Sequence, residues 1–148
     1  MRQNIELIKK FRENISLNTN LSNYSWFNLG GPAEYFFKPK NSKQLIDFLK
    51  ENKKSNLKIT ILGAGSNTLI RDNGIKGVVI KLGSNFSEIE LINKNTLKIG
   101  AATLDRKISN FAKDHGVGNL EFLSCIPGSI GGAVIMNSGC YGNDISKI

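Results

Sequence analysis

The sequence is short of the residues from which metal centres, disulfide frameworks and membrane anchors are built. Cysteine occurs only at Cys125 and Cys140. The two lack metal-ligand spacing, and in a chain without an export signal a disulfide is not expected. The single histidine, His115, stands between Asp114 and Gly116, a setting that suits a helix end better than a ligand or a general base. No apolar run approaches the ~20 residues of a membrane span. The first eleven residues include Glu6, Lys9 and Lys10 and lack the apolar centre of a secretory signal, so the expected location is cytoplasmic. Acidic residues are also scarce, 12 against 20 basic, giving a net charge of +8. That surplus invites a nucleic-acid reading. The lysines, however, are scattered singly without interleaved aromatics, and a basic surface equally suits a protein whose ligands are anionic nucleotides.

What is present is ordinary for a globular chain: 148 residues, 40% hydrophobic and 22% charged. This suits one domain, or part of a larger one, and leaves no room for two full domains. Leu7, Ile8, Phe11 and Ile15 fall at helical spacing, so residues 6–14 are expected to form an amphipathic helix. Residues 18–25 read as polar turn. Tyr24 to Phe37 is expected to gather aromatics, including the only tryptophan, Trp26, around a Gly30-Gly31-Pro32 bend that feeds a strand over 34–37. Asn41-Ser42 reads as an N-cap, with Leu45, Ile46 and Leu49 lining one face of a helix ending near Asn52. Lys58 to Leu62 and Gly77 to Leu82 are β-branched runs bounded by Gly or Asn, so they read as strands, in a βαβ order that favours a parallel pair. Beyond Leu82 the texture changes. Residues 87–92 and 96–101 alternate around Asn93-Lys94-Asn95, an antiparallel hairpin, and Thr103 is expected to cap a helix closed by Gly116. The expected divisions are an N-terminal helix over 1–17, one subdomain over 18–83 and a second over 84–148. The fold class is α+β, with a small α/β part and a mixed, mainly antiparallel part.

Two glycine-rich stretches carry the functional signal. In Leu62-Gly63-Ala64-Gly65-Ser66-Asn67 the glycines allow successive amides to turn inward around an anion such as a pyrophosphate, and Ser66 and Asn67 add donors. The dinucleotide fingerprint is excluded because its third glycine would fall at Thr68, and a Walker A loop is excluded because the chain has no Gly-Lys pair. A plain turn is the competing reading. In the second stretch Gly128, Gly131, Gly132, Gly139 and Gly142 are crowded together, costly in chain entropy unless backbone must approach something closely. Pro127 to Ala133 suits the edge of a flat heteroaromatic ring, with Ser129 supplying a hydroxyl. The competing reading is a helix start packed tightly on a strand.

Ser25-Trp-Phe-Asn-Leu-Gly-Gly-Pro-Ala33, Leu62 to Asn67 with Gly74, and Ile126-Pro-Gly-Ser-Ile-Gly-Gly-Ala133 with Asn137 and Tyr141-Gly142 together resemble the N-terminal, FAD-binding portion of the UDP-N-acetylenolpyruvoylglucosamine reductase (MurB) family. Cys125 departs from the glycine expected before Ile-Pro-Gly. The resemblance implies the FAD-binding PCMH, or vanillyl-alcohol-oxidase-like, fold. It implies FAD held by Leu62, Gly63, Ala64, Gly65, Ser66 and Asn67 at the pyrophosphate and by Pro127, Gly128, Ser129, Gly131, Gly132 and Ala133 along the flavin. It further implies NADPH as hydride donor and UDP-N-acetylenolpyruvoylglucosamine as substrate, in peptidoglycan precursor synthesis. The family's catalytic serine, arginine and glutamate lie in its C-terminal half, so none is assigned here, and Ser66, Ser129, Ser138 and Arg71 are not given those roles. The expectation is a cofactor-binding portion without a substrate domain, inactive alone, with a companion chain as one source of the other half. Another flavin oxidoreductase of the same fold and a non-catalytic α/β remnant are the alternatives.

Overall fold

Val78, Val79 and Ile80 are almost wholly shielded from solvent, and a β-branched run buried on both faces is what a central parallel strand requires. They belong to β4 (Ile75–Ile80) of a four-stranded sheet. The computed structural model describes residues 2–148. The chain divides into two units, one comprising residues up to Leu62 with Asn67–Gly83, the other Gly63–Ser66 with Ser84–Ile148.

In the first unit the strand order is β1 (Ile15–Asn20), β2 (Pro32–Phe37), β4, β3 (Ile59–Ile61). β1 runs antiparallel to β2, with Ile15 opposite Phe37. β4 lies between β2 and β3 and is parallel to both, with Val79 opposite Phe36 on one side and Thr60 on the other. Alternation divides the apolar residues between two faces. Phe37, Val78 and Ile80 meet Leu7, Phe11 and Phe48, whereas Phe36 and Val79 meet Leu21, Ala33, Leu62 and Ile70. Helix α1 (Arg2–Lys10) thus packs into this core through Leu7 rather than standing apart. Lys10 bonds Glu51 of α2 (Ser42–Ser55) at 2.8 Å, and the hydrogen bonds from Lys10 and then Lys54 hold the Glu51 carboxyl down at about 2.

Several expectations are corrected here. The helix expected over 6–14 lies at Arg2–Lys10, and Ile15, expected on its stripe, opens the edge strand β1, which also takes in residues 18–20 expected as turn. Asn41 caps α2 as expected, accepting from the Gln44 amide at 2.9 Å, but the helix continues to Ser55 and buries Phe48 and Asn52, while Ile46 and Leu49 are exposed. Tyr24 packs on Phe36 at 4.6 Å, yet Trp26 and Phe27 face solvent. What the Gly30-Gly31 bend approaches is the chain itself: the Gly31 amide donates to the Arg71 carbonyl at 3.0 Å.

The second unit holds the expected hairpin, β5 (Ile89–Asn93) with β6 (Thr96–Ile99). It continues through α3 (Asp105–Asp114), a 3-10 turn over Glu121–Cys125, α4 (Ile130–Met136) and a short ribbon of β7 (Gly139–Cys140) and β8 (Asn143–Asp144). Ile108, Phe122 and Leu123 form its core. His115 ends α3, its ring stacked on Phe111 at 3.9 Å, and both cysteines are free. Thr103 does not cap α3. Leu104 holds that position without a side-chain bond, and Thr103 is buried. Among the described residues no helix is long and apolar enough to cross a membrane.

The rings of Phe11, Phe37 and Phe48 meet at centroid separations of 5.8, 5.3 and 4.3 Å. Phe37→Ala is therefore expected to lower the free energy of unfolding by about 3–5 kcal/mol, measured by urea titration. Ile61→Ala, at an exposed strand position, should cost less than about 0.5 kcal/mol. Equal costs would mean that Phe37 is not at the centre of this core.

Candidate functional site

Because β3 and β4 are parallel neighbours, the chain between them must travel back the length of a strand. Such a crossover is normally helical. Here residues 62–74 contain no helix or strand, and irregular chain of that length within a domain is commonly functional. It also starts at the carboxyl end of a strand, where open α/β sheets bind their ligands. Leu62 closes β3: its amide donates to the Ile80 carbonyl at 2.9 Å, and its side chain lies in the core with Leu21, Phe36 and Val79. Its side chain and amide serve packing and the sheet. Gly63, Ala64, Gly65 and Ser66 are grouped with the second unit, while Asn67, exposed, belongs again to the first.

Within the second unit the other glycine-rich stretch meets this loop. A Cβ built on Gly63 would lie 2.9 Å from Ser129 Oγ and 4.0 Å from the Gly132 Cα. The first distance is closer than side-chain carbons tolerate, so a larger residue at 63 would force the Ser129 hydroxyl to turn away. Gly65 adopts φ +77°, left-handed backbone that turns the loop back. Two sequence stretches far apart in the chain therefore form one surface of mostly bare backbone.

Ser129 is held there by its own backbone. The Asp105 amide donates to the Gly128 carbonyl at 3.1 Å, the Ile130 amide to the Thr103 carbonyl at 2.9 Å and the Gly131 amide to the Ala101 carbonyl at 3.0 Å, with Leu104 and Ser129 opposed as an antiparallel bridge. Ser129 occupies the N-cap of α4, yet its hydroxyl makes no capping bond. A capping serine normally gives its oxygen to a first-turn amide; here that oxygen is turned toward Gly63 instead. Ala133 is buried and Pro127 exposed, with Gly128, Gly131 and Gly132 between these extremes. Neither stretch, 62–67 or 127–133, contains an ionisable side chain. Such a surface can hold a planar or phosphorylated molecule by amides, carbonyls and hydroxyls, and has no group with which to move a proton.

Sequence reasoning missed the polar pair behind this surface. Along the extended arm Leu104 is exposed while Thr103 and Asp105 are fully buried, the alternation of a strand. Neither Thr103 Oγ1 nor either Asp105 carboxyl oxygen has a hydrogen-bond partner among the described residues. Burial pushes the Asp105 carboxyl up from 3.8 to about 6. An aspartate in a first helical turn reads in sequence as a surface acid favoured by the helix dipole, and nothing beside it marks it as buried.

A raised carboxyl pKa means that the folded chain binds a proton the unfolded chain has released. Asp105 therefore favours folding below about pH 4, and that contribution is lost as pH rises to about 6, up to ~3 kcal/mol for a shift of this size. Asp105→Asn removes this titration. The stability of the variant relative to the parent should increase between pH 4 and pH 7, read from urea unfolding at each pH. Parallel curves would show that this carboxyl does not titrate in that window.

The UDP-N-acetylenolpyruvoylglucosamine reductase of Pelagibacter ubique (strain HTCC1062) is 47% identical over 148 residues, 97% of this chain and 49% of that protein. The crystal structure of UDP-N-acetylenolpyruvylglucosamine reductase (MurB) from Thermus caldophilus matches with a TM-score of 0.68 at 29% identity, over 88% of this chain and 44% of its own. An alkyldihydroxyacetonephosphate synthase structure matches with a TM-score of 0.70 over 97% of this chain and 35% of its own, but at 12% identity it shares the fold alone. The chain spans about half the length of the curated relatives it matches. Residues 33–147 match the FAD binding domain, so that this chain, with the α+β fold expected of such proteins, belongs to the FAD binding domain family.

Proposed function

We propose that this chain is the FAD-holding part of a UDP-N-acetylenolpyruvoylglucosamine reductase working in the cytoplasm. The observation that carries the reading is the approach of Gly63 to Ser129, which brings together the two stretches that resemble that family. Gly63, Ala64, Gly65, Ser66 and Asn67 would take the pyrophosphate through amides and side-chain donors. Gly128, Ser129, Gly131 and Gly132 would give the ring a close backbone edge and one hydroxyl, with Pro127 and Ala133 at its ends. The net charge of +8 raises the local concentration of anionic ligands.

When bound, FAD supplies hydride transfer, from NADPH to the enolpyruvyl ether of the UDP-sugar in this family. The chain's own residues orient and enclose. With no ionisable side chain in either stretch, the protonation that completes such a reduction falls to residues outside them, and we place these, with UDP-N-acetylenolpyruvoylglucosamine and NADPH recognition, in the half of the relatives' length that this chain does not match. A separate polypeptide carrying that half is one way to supply them.

The purified chain should remain yellow after loading with FAD and removal of free flavin by gel filtration, and should quench flavin fluorescence saturably. Gly63→Val should raise the FAD Kd by at least about tenfold, because the added carbons enter the space of Ser129 Oγ, while leaving the far-ultraviolet circular dichroism unchanged. A colourless chain that does not quench added FAD overturns the assignment.

A further inference from the structure

Gly128 sits directly on Asp105. A Cβ at 128 would lie 2.5 Å from Asp105 Oδ2 and 3.7 Å from its Cγ, while the Asp105 amide is already bonded to the Gly128 carbonyl. The same residue therefore latches position 128 through its backbone and fills the space beneath it with its side chain. The carboxyl is fully buried, and neither oxygen is engaged by any described hydrogen-bond donor. Its placement is thus not explained by a bond that it makes. One residue further on is Ser129, whose Oγ faces Gly63; after it the ladder resumes through the Ile130 and Gly131 amides.

We propose that Asp105 is a positioning residue for the Ser129–Gly132 turn, acting through Gly128 as a buried strut matched to the absence of a side chain there. Insofar as the turn serves a cofactor, the inference rests on the FAD reading above. Residues 105 and 128 then form a complementary pair, one carrying the volume that the other gives up. Enlarging 128 lifts the turn away from Gly63, and shortening 105 at the same time lets it settle back. A carboxyl that merely fills space in the core predicts instead that the two changes damage the protein independently.

The test uses the full 148-residue chain and four variants: Asp105→Asn, Asp105→Gly, Gly128→Ala and the double variant Gly128→Ala with Asp105→Gly. Two readouts are taken, the FAD Kd with the visible circular dichroism of bound flavin, and hydrogen exchange of the Ile130 and Gly131 amides without flavin. Gly128→Ala should weaken FAD by about tenfold or more and speed exchange at both amides. Asp105→Asn, similar in volume, should stay within about threefold of the parent Kd. The double variant should regain most of the lost affinity, the parental flavin spectrum and slow exchange. Folding of the double variant where Gly128→Ala alone does not fold counts as the same rescue. Losses that add, failure of the double variant to fold, or a Gly128→Ala chain with parental exchange and affinity overturns the strut. Rescue of amide exchange in a chain that takes up no FAD overturns the proposed function and leaves the strut standing.

Discussion

Three amide–carbonyl bonds between residues 101–105 and 128–131 carry the geometry on which the site depends. Each contributes only about 1 kcal/mol net, which is small against the backbone entropy lost in ordering a segment that contains Gly128, Gly131 and Gly132. Their value lies in direction. A glycine-rich segment left to itself samples many shapes; pinned at 128, 130 and 131 it has one. The position of Ser129 against Gly63 follows from where those pins fall, since α4 is entered from Ser129 without help from a side-chain cap.

The other half of the surface is a consequence of sheet order. With β4 inserted between β2 and β3 and parallel to both, the β3–β4 connection has to run back beside the sheet, and nothing in residues 62–74 is helical. Leu62 and Ile70 anchor the connection by burying in the first unit's core. Between these anchors Gly63, Ala64 and Ser66 are half-buried and Gly65 is buried, and all four belong to the second unit while their flanks do not. The same residues that close the core thus determine which part of the loop is available for a ligand.

Much of this was legible in the sequence wherever one residue type has one physical use. Asn41 caps a helix, the turn after Asn93 closes a hairpin, and β-branched runs at 59–61 and 75–80 form strands. The glycine stretches could be singled out because glycine has no packing to offer, so clusters of it ask for another explanation. What failed to show depends on partners remote in sequence. In β1 the strand faces solvent except at Ile15 and in part Thr19, so Asn18 and Asn20 look like a polar turn until β2 is beside them. In α2 both Ile46 and Phe48 are apolar, and only the sheet decides that Phe48 is the buried one. Trp26 and Phe27 look like core residues by type and are exposed. Thr103 looked like a cap because threonine before a helix usually is one, and the arm's pairing with 128–131 buries it instead.

A site made mainly of backbone places its constraints differently from one made of side chains. Amides and carbonyls are supplied by every residue, so substitutions that preserve φ and ψ leave them in place. What such a surface cannot accept is added volume where two chains meet, and at Gly63 and Gly128 a single Cβ would already intrude on Ser129 Oγ or the Asp105 carboxyl. The apolar clusters behind the sheet face the opposite constraint, since they need volume but are indifferent to which large residue supplies it, within the limits of packing. Where the two glycine-rich stretches meet, particular residues are demanded at few positions, and at those positions the demand is for the smallest residue available.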